Sequence, residues 1–454
     1  MFNCTSPGPD AEPENSAERT TTELSTWRKY FILFVVSWMA FVITSSTTSL
    51  FVATPEISTD LSTTSEIINI TNAGVLVSMG LFSLIWVPLS DLFGRRKIYN
   101  IAIVVLLASS IGTALAHNMA TFTACRLLGG LTGTYFMVAG QTVIADIFEP
   151  VVRGRAVGFF MVGTVAGPAL GPCIAGIIVT FCSWRVIYWL QAAMSGAGLI
   201  LSLIVIPTIK GEVELSSDEK NAPRSIMAIL KKFNPTTVFK QYFRLNVLLA
   251  DVTCSCLSVT QYGLLTSVRH IINPRFNLTT PLISGLFYIA PGIGFWIGSI
   301  VGGRLSDHTV RRYIAKRGGV RLPEDRLNSG LSALFVILPI SVLLYGWCLQ
   351  KEFGGLALPI VTGFWMGVGL MGTFNALNTY TTEVYPAEKA EIICSKYIMQ
   401  YAFGASSSAA VVPLINAIGV GWSFTIFVLL DIAGGVMVLI LTKLNIDRSA
   451  RPDS

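Results

Sequence analysis

Three kinds of side chain in this sequence could do chemistry inside an apolar setting. Arg126 is the one Lys or Arg that the hydropathy pattern places well within an apolar stretch. A cation at that depth costs about 2.5 to 3.5 kcal/mol on insertion scales, so it calls for a partner or a task. A guanidinium can grip a carboxylate through two parallel hydrogen bonds, which makes Arg126 a candidate counter-charge for an anionic substrate. The alternative is an Arg that bonds backbone carbonyls of the first helix or reaches outward. The second kind is the embedded acid. Asp251 and Asp431 fall within apolar stretches, where a carboxyl could carry a proton, or could be structurally paired or hydrated.

The third kind is uncharged and hydrogen-bonding: Gln141, Gln261, Tyr262, Tyr288, Asn375, Asn378, Gln400 and Tyr401. Such groups orient a small polar ligand without holding it too tightly to leave, although each could equally serve helix packing. His117, His270 and His308 fall at stretch ends or in loops, and no spacing suggests a metal site or a bound cofactor.

These groups need helices to position them, and the composition says which kind. The chain has 454 residues, 52% hydrophobic and 13% charged, with a mean hydropathy of +0.63. Windows of about 20 apolar residues, the length that crosses a bilayer as helix, recur roughly twelve times. The apolar runs are continuous rather than alternating, which excludes a membrane β-barrel. The fold class expected is an all-α polytopic membrane protein. Its spans are placed at Tyr30 to Ala53, Asn69 to Leu89, Ile98 to Ala116, Thr121 to Ile144, Ala156 to Thr180 and Trp184 to Ile206. Six more follow at Leu245 to Val268, Pro281 to Gly302, Ser329 to Leu349, Gly355 to Thr381, Ile393 to Ile418 and Trp422 to Leu444.

Within the fifth of these, Gly163, Gly167, Gly171 and Ala175 recur every fourth residue and make a smooth stripe along a helix. Such a stripe lets a second helix approach backbone to backbone, whether for packing alone or for movement. Pro168 and Pro172 each remove a backbone donor and bend the rod. The eight cysteines show no metal-ligand spacing and read as small apolar packing residues.

The net charge of +6 is explained by its distribution. Lys and Arg concentrate in alternate loops, leaving Arg185, Arg269, Arg275 and Lys351 on the other side, so both termini are expected in the cytoplasm. Residues 1–29 are expected to be a disordered cytoplasmic tail, 30–206 a six-helix bundle, 207–244 a cytoplasmic linker, 245–444 a second bundle and 445–454 a second tail. The linker's amphipathic pieces, such as Ile226 to Phe233, are expected along the membrane surface. Asn69 and Asn277 begin outward-facing glycosylation sequons.

The halves carry matching punctuation. Ser90-Asp91 closes the second span and Gly303-Arg304-Leu305-Ser306-Asp307 the eighth. Asp146 to Arg155 ends the fourth, and Glu383 to Lys389 the tenth. Repetition six spans apart predicts two pseudo-symmetric bundles with a binding site at their interface.

Pro88-Leu89-Ser90-Asp91-Leu92-Phe93-Gly94-Arg95-Arg96-Lys97 resembles the signature loop of the major facilitator superfamily. Arg126 with Gly129, Gly130 and Gly133 resembles that family's fourth-helix motif. Gly163 to Pro172 is similar to the fifth-helix motif of the fungal twelve-span drug:proton antiporters. Runs such as Gly140 to Pro150 and Thr309 to Tyr313 look closest to fungal exporters of itaconate.

The resemblance covers nearly the whole chain. It implies a secondary-active transporter of the cell membrane, acting as a monomer. It would export a small organic anion by alternating access, with proton coupling as an option. Polyspecific drug:proton antiport is the second reading and a non-transporting sensor the third. In this fold Asp91 could pair with Arg95, Arg96 or Arg155, and Asp307 with Arg304, as conformational latches or as plain solvated ion pairs. No phosphate-cradling loop or nucleophile elbow is present, and the basic residues are topogenic, so an enzyme and a nucleic-acid binder are both disfavoured.

Overall fold

The computed structural model describes residues 25–148, 150–205, 236–272, 275–276, 280–320, 322–385 and 388–444; within these, the side chains of some residues, among them Asp91, Arg155 and Arg269, are not described. Residues 1–24 and 445–454 of the expected tails, residues 207–235 of the linker expected at 207–244 with its amphipathic piece, and Asn277 lie outside the described residues. Residues 26–29 already belong to the first helix, and Thr236–Lys240 form a short helix before the seventh span.

Among the described residues, twelve helices are long and apolar enough to cross a membrane. The first six are α1 (Thr26–Thr48), α2 (Ser65–Ser90), α3 (Arg95–Ala114), α4 (Met119–Ile144), α5 (Phe159–Phe181) and α6 (Arg185–Val205). The second six are α7 (Leu245–Ser267), α8 (Pro281–Lys316), α9 (Pro323–Lys351), α10 (Ala357–Thr381), α11 (Glu391–Ile418) and α12 (Val420–Lys443). An even number of crossings puts both ends of the described chain on one face, called here the terminal face.

The order of packing repeats between halves. In the first, α1 lies on α5 and α6, α3 on α4 and α6, and α2 on α4. In the second, α7 lies on α11 and α12, α9 on α10 and α12, and α8 on α10. Adding six to each label converts one set into the other. The principal contacts between halves are α2 with α11 and α5 with α8, which exchange under the same operation. These are the two pseudo-symmetric six-helix bundles expected from the repeated punctuation.

Several helices outrun their apolar cores. The α8 helix was expected to end at Gly302 and instead continues to Lys316, past Arg311 and Arg312. Helical hydrogen bonding continues until a breaker stops it, whereas hydropathy marks only the part that avoids water. Breaks occur where the sequence weakens the ladder. A π-turn over Ala333–Ile337 precedes Pro339, which has no N–H to give. Between α2 and α3 the chain turns on Gly94 at φ 92°, a left-handed conformation that favours glycine.

The glycine stripe of α5 faces α1. A Cβ on Gly163 would strike the Ser37 carbonyl, one on Gly167 the Thr44 hydroxyl, and one on Gly171 would come 3.0 Å from Ser45 Cα. Thr48 Oγ1 donates to the Gly167 carbonyl at 3.1 Å across this contact. A second small face on α5 meets the other bundle. A Cβ on Gly176 would stand 2.7 Å from the Pro281 carbonyl of α8, and one on Gly285 would stand 2.9 Å from that of Pro172. The two helices therefore close on each other backbone to backbone at the end opposite the terminal face.

Candidate functional site

Between the two bundles lies a cavity with about 840 Å³ of empty space, counting its solvent-open part. From the first half come Thr44, Thr47 and Thr48 of α1, Met137 of α4, and Met161, Thr164, Val165 and Pro168 of α5. From the second come Gln261, Tyr262 and Leu265 of α7, Phe295 of α8, Met371, Phe374, Asn375 and Asn378 of α10, and Tyr397, Gln400 and Tyr401 of α11. No Asp, Glu, Lys or Arg is among these lining residues.

The α1 threonines come from the polar run 44–49. Thr44 Oγ1 donates to the Ala40 carbonyl at 2.8 Å and Thr47 Oγ1 to that of Thr44 at 2.9 Å. Each hydroxyl proton is thus committed to the backbone, leaving oxygen lone pairs as acceptors. Tyr397 and Tyr401 stack with centroids 5.8 Å apart. Asn375 is held by its Nδ2, which donates to the Ser299 carbonyl at 2.8 Å.

Six of the expected cavity groups line this space: Gln261, Tyr262, Asn375, Asn378, Gln400 and Tyr401. Gln141 stands beside it, with Nε2 3.5 Å from the Tyr397 hydroxyl across the two halves. Tyr288 does not line it. Its ring is fully buried and its hydroxyl donates to the Leu265 carbonyl at 2.6 Å, pinning α8 to α7.

Arg126 also lies elsewhere. It sits inside the first bundle, in a small chamber shared with Ser46, Ser109, Ser110, Thr113, Tyr188 and Gln191. Its Nη1 donates to the Ser46 carbonyl at 3.2 Å and the Ser46 hydroxyl at 3.1 Å, and Nη2 stands 3.5 Å from Asn72 Oδ1. The guanidinium also faces the Tyr188 ring at 5.5 Å. In this conformation its partners are α1, α2 and α6, as in the alternative of an Arg bonded to the first helix.

The two embedded acids lie within the second bundle. Asp251 accepts from Ser395 Oγ at 2.8 Å, and Asp431 from Thr260 Oγ1 at 2.7 Å. Both side chains are buried and neither lines the cavity.

One buried cation escaped the sequence reading. Lys396, on α11, is 1% exposed; its Nζ donates to Asn378 Oδ1 at 2.7 Å and lies 4.1 Å from the centre of the Tyr397 ring. It lies directly behind two cavity residues. The sequence showed it only as a Lys just inside the start of the eleventh span, where a solvated end residue is the ordinary expectation.

On the terminal face the latch of the second half differs from the expected pair. Asp307 pairs with Arg326 at 3.1 Å, and Arg326 Nε pairs with Glu383 at 2.9 Å. Arg304 is exposed and forms no ion pair among the described residues. Arg326 wins because it enters from α9 and reaches α8 and α10 together, also touching Ser306 Oγ at 3.3 Å. In the first half the side chains of Asp91 and Arg155 lie outside the described residues. Arg95 begins the helix of α3, and Arg96 Nη2 donates to the Leu203 carbonyl at 2.7 Å.

A further clasp on this face joins Arg244 to Glu388 through two hydrogen bonds of 2.8 and 3.0 Å, with the guanidinium 4.3 Å from the centre of the Tyr385 ring. The Arg244 hydrogen bonds, and then that of Gln241, hold the Glu388 carboxyl below its usual range. On the opposite face Arg185 and Trp184 bond Asp60 and lower its carboxyl in the same way. Asn69 sits half-buried in the first turns of α2.

The profile of the Major Facilitator Superfamily matches residues 33–409. The MFS antiporter QDR3 of Candida albicans is 23% identical, over 91% of this chain and 78% of that protein. The MFS-type transporter acdC of Aspergillus candidus is 27% identical, over 94% of this chain and 85% of that protein. Among solved structures, the xylose transporter XylE from E. coli in a partially occluded inward-open conformation superposes with a TM-score of 0.70 at 13% identity, covering 94% of this chain and 100% of that one.

Proposed function

The chain belongs to the Major Facilitator Superfamily and is a multi-pass membrane transporter of small molecules, and from that premise we propose that it exports a small organic acid, itaconate or a similar dicarboxylate, by alternating access. The terminal face is the cytoplasmic one in this reading, on the strength of the Lys and Arg distribution. The membrane is that of the cell surface, and one copy of the chain is the working unit.

The observation that carries the reading is the cavity between the halves. It is lined from both sides by hydrogen-bonding groups, and no acid is among its lining residues. A cationic cargo would meet no counter-charge there, while a carboxylate finds amide and phenol donors. Rocking the bundles about the α2–α11 and α5–α8 contacts would expose this space to each face in turn. Asp251 and Asp431 are the proton carriers if export is proton-coupled.

A second reading, polyspecific drug:proton antiport, is favoured by the Met and Tyr share of the lining and by the name of the QDR3 antiporter relative. Efflux of itaconate and of a cationic dye, measured from cells with and without the chain, separates the two. Acid efflux that requires the chain supports the first. Dye efflux with no effect on the acid rejects it in favour of the second, and efflux of neither rejects both.

A further inference from the structure

A buried ammonium stands immediately behind the cavity wall. Lys396 is 1% exposed, and no carboxylate oxygen lies within the 4.0 Å of an ion pair among the described residues. Asp251 is near enough to feel its charge, yet that carboxyl takes its hydrogen bond from Ser395. What holds Lys396 is Asn378 Oδ1 at 2.7 Å and the face of Tyr397 at 4.1 Å, and both residues line the cavity.

A protonated lysine can only donate, so its partner on Asn378 must be the amide oxygen. That fixes which way the amide points. With the oxygen turned to Lys396, the opposite end of the Asn378 amide is its two N–H donors, made more acidic by the ammonium on the other side of the same amide. A neutral amide could turn either end toward a cargo. Here it is a donor.

We propose that Lys396, acting through Asn378, is the specificity-determining residue of the cavity: it orients and polarises the Asn378 amide so that a carboxylate is accepted there. It is a positioning residue, since Asn378 and not Lys396 touches the cargo. The assignment rests on the export reading above and names the residue that sets its substrate class. It also gives a role to a buried cation whose insertion is otherwise costly: a bound carboxylate adds a second negative charge to that of Asp251, which already feels the ammonium.

The test uses the full chain in lipid nanodiscs, with calorimetric titration of itaconate and of its uncharged diamide. Lys396→Gln is expected to weaken itaconate binding roughly tenfold or more, as for loss of a charge-assisted contact, while changing diamide binding less than about twofold. Lys396→Arg, which keeps charge and donors, is expected to retain the preference for the acid. Asn378→Leu loses it as Lys396→Gln does, and serves if Lys396→Gln fails to fold. Lys396→Gln with an unchanged acid-to-diamide ratio and only a lower unfolding temperature would overturn the assignment and make Lys396 a structural partner of Asp251. That result leaves the export reading standing, whereas wild-type protein that binds no organic acid removes both.

Discussion

Gly167 of α5 and Thr44 of α1 stand so close that one methyl group on the glycine would occupy the place of the threonine hydroxyl. The same added carbon would lie 2.6 Å from the Ser45 nitrogen, so a turn of the side chain cannot relieve it. Gly167→Ala is therefore expected to destabilise the first bundle by about 1–3 kcal/mol, the usual cost of overpacking. Gly196→Ala is the control, with nothing within 4 Å of the new carbon. Thermal unfolding of the purified protein should separate the two variants.

Arg326 joins Asp307 and Glu383 with a side chain only 14% exposed, while its partners are 65% and 24% exposed. Arg326→Ala should cost about 1–2 kcal/mol, between a surface pair and a buried one. Arg304→Ala should cost nothing measurable. Denaturant unfolding of both variants checks this, and equal losses would restore Arg304 as the partner of Asp307.

The clasp between Arg244 and Glu388 gives a pH dependence with a definite sign. Hydrogen bonds from Arg244 and Gln241 depress the folded carboxyl below the ordinary value of 4.5. Its contribution is therefore full above that value and is lost as pH falls through the depressed one. Glu388→Gln should lower the unfolding temperature by the same amount at pH 7 and pH 6. The difference from wild type should shrink as the pH falls below 4.5.

If export is coupled to protons, Asp251→Asn or Asp431→Asn should abolish accumulation driven by a proton gradient while leaving exchange of itaconate for itaconate intact. Asn keeps an oxygen acceptor for Ser395 or Thr260, so the fold should tolerate either change. Vesicle uptake with and without an imposed gradient makes the comparison.

The architecture was legible because apolar length and repeated punctuation are one-dimensional signals. Twelve windows and the Ser90-Asp91 and Ser306-Asp307 echoes led directly to two like bundles. Six cavity residues were legible for a related reason, since an uncharged polar group in an apolar span has few places to go. Arg126 and Tyr288 were not, because depth along a helix does not fix the face on which a side chain emerges. The azimuth of Arg126 turns it into its own bundle, toward Ser46. Lys396 was missed for the opposite reason: proximity to a span end suggested water, whereas packing against Asn378 and Tyr397 buries it. Arg326 was hidden because its contacts come from two segments, Ser306-Asp307 and Glu383, that lie far from it and from each other in the chain.

Thr164 offers the most direct test of the central claim, that an organic acid crosses through the space between the bundles. It lines that space from α5 and is half-buried there. Counterflow of labelled itaconate into proteoliposomes holding the full chain should be saturable with wild type. It should be lost with Thr164→Trp, whose indole fills the cavity, in protein that still folds and inserts. Undiminished counterflow through the Thr164→Trp protein, or none above empty vesicles with the wild type, would contradict it.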